Sequence, residues 1–273
     1  MSVFGHPAKK SLSQNFLIDP NLQRKIVDAL EPQPTDHVVE IGPGTGALTK
    51  HLVDRVGHLA LIELDDALAA QLREEYAGLG HVEVLHADAL KISVYEAAGG
   101  DASFFKLIGN IPYGITTPLI FHILEERPRP QVMVLTVQKE VADRMVARPG
   151  TKDYGALTVG VQAVAQLKLL FTISRHAFRP RPDVDSAVVR IEPMSPPPLS
   201  PAQEESFRIL TRAAFSRRRK QLQKVLRQAP EYALSVEEAD GLLRSLDIDP
   251  ATRPDALPVS DYVRLAYALR PGE

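Results

Sequence analysis

The stretch VEIGPGTGALT, Val39 to Thr49, closes a short apolar run and opens a segment with helical spacing. A strand that ends in glycines and turns directly into a helix is where a doubly wound α/β fold binds a nucleotide-like ligand, at the C-terminal edge of its sheet. Glycines at Gly42, Gly44 and Gly46 let the backbone take positive φ and come close to a ligand. The spacing is GxGxG, unlike the GxGxxG of many nicotinamide enzymes, and no Gly-Lys-Ser/Thr follows to make a phosphate-binding P-loop. Alone, this loop is a weak signal.

The surroundings strengthen it. HVVEIG, LALIELD, VEVLHAD, FFKLIGN and QVMVLTV read as buried strands with amphipathic segments between most of them, the βαβ rhythm of a parallel, doubly wound, Rossmann-like sheet. LKLLFTIS and SAVVRIEP read as a closing pair at one edge, joined by the proline-rich RHAFRPRPDVD. PMSPPPLSP, Pro193 to Pro201, can neither pair in a sheet nor continue a helix. The expected division is therefore a catalytic domain over residues 1–196 and a small helical domain over 197–273. In the latter, Ser235 with Glu238 reads as a capping box.

Composition excludes more than it selects. The 273 residues are 44% hydrophobic and 24% charged, as in ordinary globular proteins, and carry a net charge of −2. No apolar run reaches a membrane span, and the N-terminus lacks the apolar core of a signal peptide. The absence of cysteine removes disulfides and thiolate chemistry and fits a cytoplasmic protein. The eight histidines are scattered, with no metal-ligand spacing, so no metal is expected. Charge is uneven, however: eight Lys or Arg and no acid lie between Phe207 and Arg227, read as one basic helix and a candidate polyanion contact.

Two more strand ends face the glycine loop. Glu63 stands where a carboxylate can accept from both ribose hydroxyls, and Asp88 where one can accept from an adenine amino group. Either acid alone reads equally as a cap or a solvated strand end. Together, after the glycine loop, they fit one adenosine-containing ligand. IGNIPYGITTP, Ile108 to Pro118, then adds Asn110 and the carbonyls on either side of Pro112, which can accept from an exocyclic amino group, and Tyr113, which can stack on a base. The bland reading is a proline-terminated strand with a core tyrosine.

In order, SQNFL, VEIGPGTGALT, IELD, HADAL, GNIPYGITTPLIFHIL, QKEVADRMVA, YGALTV, FRPRPDVDSAVVR and AFSRRRKQL resemble the ribosomal RNA adenine dimethyltransferase family from about residue 8 to at least residue 227. DPATRPDALPVSDYVRLA resembles the family's C-terminal end. The resemblance implies S-adenosylmethionine as methyl donor, held by Asn15, Leu17, Gly42, Gly44, Glu63, Asp88 and Asn110. It implies that Asn110, Pro112, Tyr113 and Phe178 form the methyl-transfer site, with Tyr113 and Phe178 sandwiching the target base. The substrate it implies is a pair of adjacent adenosines near the 3′ end of small-subunit rRNA, each dimethylated during ribosome biogenesis. Lys9, Lys10, Arg179, Arg217, Arg218, Arg219 and Lys220 are the expected RNA contacts, and a monomer is the expected state. Asp183 and Arg217 depart from the lysine and glutamine frequent in the family. A large-subunit rRNA adenine methyltransferase, a DNA adenine methyltransferase and a non-catalytic RNA-binding assembly factor on the same fold are the alternatives.

Overall fold

The computed structural model describes residues 2–3, 6–7, 14–100 and 104–269. Lys9 and Lys10 lie outside the described residues. The chain forms two compact units, Met1–Ala142 with Leu167–Pro193, and Asp143–Gln166 with Met194–Glu273. The second begins three residues earlier than the expected 197 and also takes in 143–166, which the proline linker could not reveal.

The strands are β1 (Ser2–Val3), β2 (His6–Pro7), β3 (Phe16–Leu17), β4 (His37–Ile41), β5 (His58–Glu63), β6 (Val82–His86), β7 (Phe105–Asn110), β8 (Val132–Gln138), β9 (Ala165–Ile173), β10 (Phe178–Arg179) and β11 (Ser186–Pro193). The helices are α1 (Pro20–Asp28), α2 (Thr49–Leu52), α3 (Asp66–Glu75), α4 (Val94–Ala97), α5 (Thr116–Glu125), α6 (Lys139–Met145), α7 (Ala156–Gln162), α8 (Pro201–Ser216), α9 (Leu222–Gln228), α10 (Val236–Ser245) and α11 (Val259–Ala268).

Seven strands form one sheet in the order β6-β5-β4-β7-β8-β11-β9. The five expected parallel strands pair in parallel from β6 to β8. Central β8 is buried along nearly its whole length, whereas β6 at the edge is partly exposed, as a sheet covered by helices on both faces requires. The chain order reverses about β4, with β5 on one side and β7 on the other, and this switch point is where such sheets open a ligand crevice. β11 runs antiparallel to β8, with Ser186 opposite Gln138. That reversal delivers the start of β11 to the edge where the parallel strands end.

A second, two-stranded ribbon joins β3 to β10, with Leu17 opposite Phe178. The buried residues Leu17, Ile26, Leu30, Val38, Leu59, Ile108, Val134 and Phe178 belong to one apolar cluster.

The second unit is helical. Its aromatic centre stacks Phe215 on Tyr262 at 5.8 Å and sets Tyr154 edge-on to Phe215 at 6.2 Å. Both tyrosine hydroxyls are satisfied by main-chain carbonyls, Tyr154 by Leu257 and Tyr262 by Pro254. Ser235 and Glu238 form the expected capping box of α10. The expected single helix from Phe207 to Arg227 is instead two helices, α8 and α9, with Arg217 to Lys220 in the turn between them. The cause lies in partners distant in sequence: Arg218 is drawn to Asp255 at 3.1 Å and to the carbonyls of Thr151 and Lys152. The Leu222 N–H is meanwhile taken by the Thr252 carbonyl at 2.7 Å.

Candidate active site

A cavity of about 320 Å³ opens in the first unit at the C-terminal edge of β4, β5, β6 and β7. Its lining brings together Asn15, Leu17, Gly42, Gly44, Glu63, Asp88, Asn110, Pro112 and Tyr113, nine of the residues expected from sequence.

The glycine loop is built as its sequence demands at Gly44. Its φ is +61°, and a Cβ there would sit 3.1 Å from the ring of Phe16. A side chain at this position is strained by conformation and obstructed by contact. The Gly44 N–H donates to Glu63 Oε2 at 2.9 Å, tying the loop to the end of β5. Glu63 Oε1 accepts from the Asp65 N–H at 2.8 Å. Burial raises the Glu63 carboxyl above its ordinary range, while these two amides pull it back down. An ionised Glu63 keeps further lone pairs for ligand hydroxyls. Asp88, at the end of the segment after β6, accepts from the Leu90 N–H at 3.0 Å and lies 3.3 Å from Lys91, so it is part turn-former and part cavity wall.

Asn110 ends β7. The residue before it, Gly109, is required by close approach: an added Cβ would meet the Ile41 carbonyl at 2.7 Å. The Asn110 side-chain Nδ2–H donates to the Asn15 carbonyl at 2.9 Å. The Ile111 N–H donates to the Thr136 carbonyl at 3.1 Å and fixes the exit from the strand. Of the two carbonyls flanking the Ile111–Pro112 step, that of Pro112 accepts from the Ile115 N–H and from Thr116 Oγ1. It is spent on the turn, which leaves the Ile111 carbonyl and the Asn110 amide oxygen as the acceptors to consider. Tyr113 is half-buried, and its hydroxyl lies 2.7 Å from that of buried Ser186. Burial raises the Tyr113 phenol further above its ordinary value, so the ring is a neutral, pinned platform.

Phe178 is not brought to the cavity. It is 1% exposed, packed into the apolar cluster under the β3–β10 ribbon, and is not part of the cavity lining. The expected two-sided clamp is therefore one-sided here: Phe178 lies opposite Leu17 in the ribbon and is buried with it in the apolar cluster. Arg179 beside it is exposed, with its guanidinium on the Phe178 carbonyl. In the second unit Arg219 and Lys220 are exposed, Arg217 contacts Ser216 and the Gln228 carbonyl, and Arg218 is engaged as described above.

Sequence reading missed Glu40, Gln14 and Ser186. Glu40 is 1% exposed, lines the cavity and accepts from Thr49 Oγ1 at 2.8 Å. Burial, aided by the neighbouring Glu63, pushes its carboxyl up to about 8 despite the Thr49 bond. The signal was an acid inside the otherwise apolar HVVEI, where a charge needs a reason. Gln14 and Ser186 carried no signal beyond lying inside recognised motifs. No group of three or more His, Asp or Glu able to hold a metal is found among the described residues. No helix among them is long and apolar enough to cross a membrane.

Residues 5–269 match the Ribosomal RNA adenine dimethylase family. The chain belongs to this family. Similar proteins named Ribosomal RNA small subunit methyltransferase A include one from Geobacillus thermodenitrificans, 39% identical over 99% of this chain and 94% of the relative. Another, from Aromatoleum aromaticum, is 42% identical over 95% and 93%. A dimethyladenosine transferase from Plasmodium falciparum superposes with a TM-score of 0.81 at 28% identity, covering 92% of this chain and 95% of that one. The 23S rRNA methyltransferase ErmE gives 0.69 at 28% identity, covering 93% and 99%. The adenine dimethylase family thus accounts for both the methyltransferase sheet and the helical unit. Its members are S-adenosylmethionine-dependent enzymes, and the cavity chemistry suits that methyl donor: the buried Glu63 carboxyl beside an open glycine loop favours a ligand that brings hydroxyls.

Proposed function

We propose that this chain dimethylates two adjacent adenosines near the 3′ end of small-subunit rRNA, using the residues that line the cavity of its first unit. The observation that carries the reading is that one cavity holds both Glu63 and Asp88, suited to a nucleoside, and Asn110 to Tyr113, suited to an adenine amino group. Relatives named as small-subunit enzymes at about 40% identity support that substrate over large-subunit RNA.

Glu63 would hold the ribose hydroxyls of S-adenosylmethionine, Asp88 its adenine amino group, and Asn15, Leu17, Gly42 and Gly44 the rest. The bound donor supplies an electrophilic methyl on a sulfonium. Asn110 Oδ1 and the Ile111 carbonyl accept hydrogen bonds from the target amino group. They favour a nitrogen whose lone pair is turned out of the ring's conjugation and aimed at the cavity. Tyr113 carries one face of a base taken out of its stack, its ring held in plane by Ser186. Holding the amine in line provides much of the rate gain. No metal or covalent enzyme intermediate is needed for a direct displacement: the nitrogen–carbon bond would form as the carbon–sulfur bond breaks, the sulfur would leave as a neutral thioether, and the methylated amine would lose one proton to water.

Arg179, Arg219 and Lys220 are the exposed candidates for phosphate contacts. Lys9, Lys10 and the partly engaged Arg217 complete the proposed set, while Arg218 serves structure first. Cytoplasmic action as a monomer belongs to the same proposal; light scattering should return the 30.0 kDa of one chain.

The deciding experiment is transfer of labelled methyl to unmodified small subunits, with large subunits and DNA in parallel, followed by nucleoside analysis. Dimethyladenosine from small subunits alone, abolished by Asn110→Ala, is the expected result. Transfer to large subunits alone, or none with tight RNA binding, overturns the reading.

A further inference from the structure

Residues Gln14, Asn15 and Phe16 line the cavity, and each is tied to a different segment of the chain. Gln14 Nε2 donates to Asp65 Oδ2 at 3.1 Å. The Asn15 carbonyl accepts from Asn110 Nδ2 at 2.9 Å. The Phe16 ring lies against Gly44. Asp65 is a firm anchor: it is 1% exposed, its Oδ1 caps α3 by accepting from the Ala67 N–H, and its own N–H holds Glu63.

An asparagine amide presents a donor and an acceptor in nearly the same shape, so its flip state decides what a ligand meets. The bond from Asn110 Nδ2 to Asn15 fixes that state and leaves Oδ1 as the acceptor toward the cavity. The side chain of Asn110 therefore depends on where the Asn15 carbonyl is held, and the neighbouring fixed point on one side is the Gln14–Asp65 bond.

We propose that residues 14–16 are a strap that sets the flip state of Asn110, and that Gln14 is its positioning residue through the bond to Asp65. This rests on Asn110 receiving the target amino group. The strap matters more for the second methyl than for the first. Unmodified adenine offers two N–H groups, whereas the monomethylated amine offers one and must present it to a correctly turned acceptor. If Asn110 turns its NH₂ toward the cavity, donor meets donor and the second transfer stalls.

The test compares wild type, Gln14→Ala, Gln14→Glu, Asp65→Asn and the double variant Gln14→Glu/Asp65→Asn on unmodified small subunits. It reads the ratio of mono- to dimethyladenosine, kcat, S-adenosylmethionine affinity by calorimetry, and melting temperature. Gln14→Ala should melt somewhat lower, since buried Asp65 loses a donor, but stay folded and bind cofactor within about threefold of wild type, with kcat falling about tenfold as the acceptor is misplaced. Monomethyladenosine should accumulate. Gln14→Glu sets two carboxylates against each other and should be worse. Adding Asp65→Asn keeps an oxygen for the helix cap, supplies an N–H to the new carboxylate, and should restore the wild-type ratio. An unchanged product ratio in Gln14→Ala, or a double variant no better than Gln14→Glu, overturns the proposal. Loss of the underlying reading is seen separately, as absence of any methyladenosine from the wild-type enzyme.

Discussion

The hydroxyls of Tyr113 and Ser186 lie 2.7 Å apart although the residues are 73 positions apart in sequence. The bond joins the turn after β7 to the first residue of β11 and fixes the plane of the tyrosine ring. Tyr113→Phe keeps the ring but leaves the fully buried Ser186 hydroxyl unpaired, so stability should fall by about 1–3 kcal/mol with part of the activity retained. Ser186→Ala frees the tyrosine and should raise KM for RNA more than it lowers stability. Tyr113→Ala removes the platform and should abolish transfer. Denaturation midpoints and steady-state kinetics on the three variants separate these effects.

Glu40 makes stability depend on pH. Its folded carboxyl lies at about 8 against 4.5 in the unfolded chain, so the folded state holds the proton more tightly. Its favourable contribution is complete below pH 4.5 and is lost as pH rises through 8; the raised Glu63 carboxyl acts with the same sign. The melting temperature should fall between pH 6 and pH 8.5. Glu40→Gln should flatten that fall, and an equal fall in the variant would show that burial of Glu40 is not its source.

Phe178 is buried, and its truncation should reflect that. Phe178→Ala should cost about 3–5 kcal/mol of stability without any RNA present, as loss of a core aromatic does. A base-stacking residue waiting in the open would instead leave the denaturation midpoint unchanged and raise only KM for RNA.

The basic turn divides by geometry. Arg218 is held by Asp255 and two carbonyls, so Arg218→Ala should lower the midpoint of the helical unit and change RNA affinity little beyond that. Arg219→Ala should leave stability unchanged and reduce the slope of log K against log salt by roughly 0.7 to 0.9 if it neutralises one phosphate.

The sheet was legible because buried parallel strands and the glycine loop write themselves into sequence as apolar runs with a fixed break; Glu63 and Asn110 follow as strand ends, and Asp88 lies two residues past the end of β6. What escaped has no local signature. The turn at Arg217 to Lys220 is set by Asp255, Thr151 and Thr252, residues distant in sequence, against a helical spacing that runs straight through. Phe178 is buried in an apolar cluster with Leu17, Ile26 and Val38, residues far from it in sequence, which no motif prints. Glu40 was visible as an acid in a strand but was absorbed into the motif around it. Gln14 became informative only once Asp65 was seen opposite it.

The β3–β10 ribbon also bears on how the protein is made. A chain emerging from the ribosome presents Phe16 and Leu17 early, but their partners Phe178 and Arg179 arrive only after all five parallel strands have been synthesised. The Asn15–Asn110 bond likewise spans 95 residues. Nascent chains ending before Phe178 lack the strand that pairs with Leu17, a residue of the cavity lining, so that part of the wall is completed late in synthesis, as non-local contacts are in folding generally.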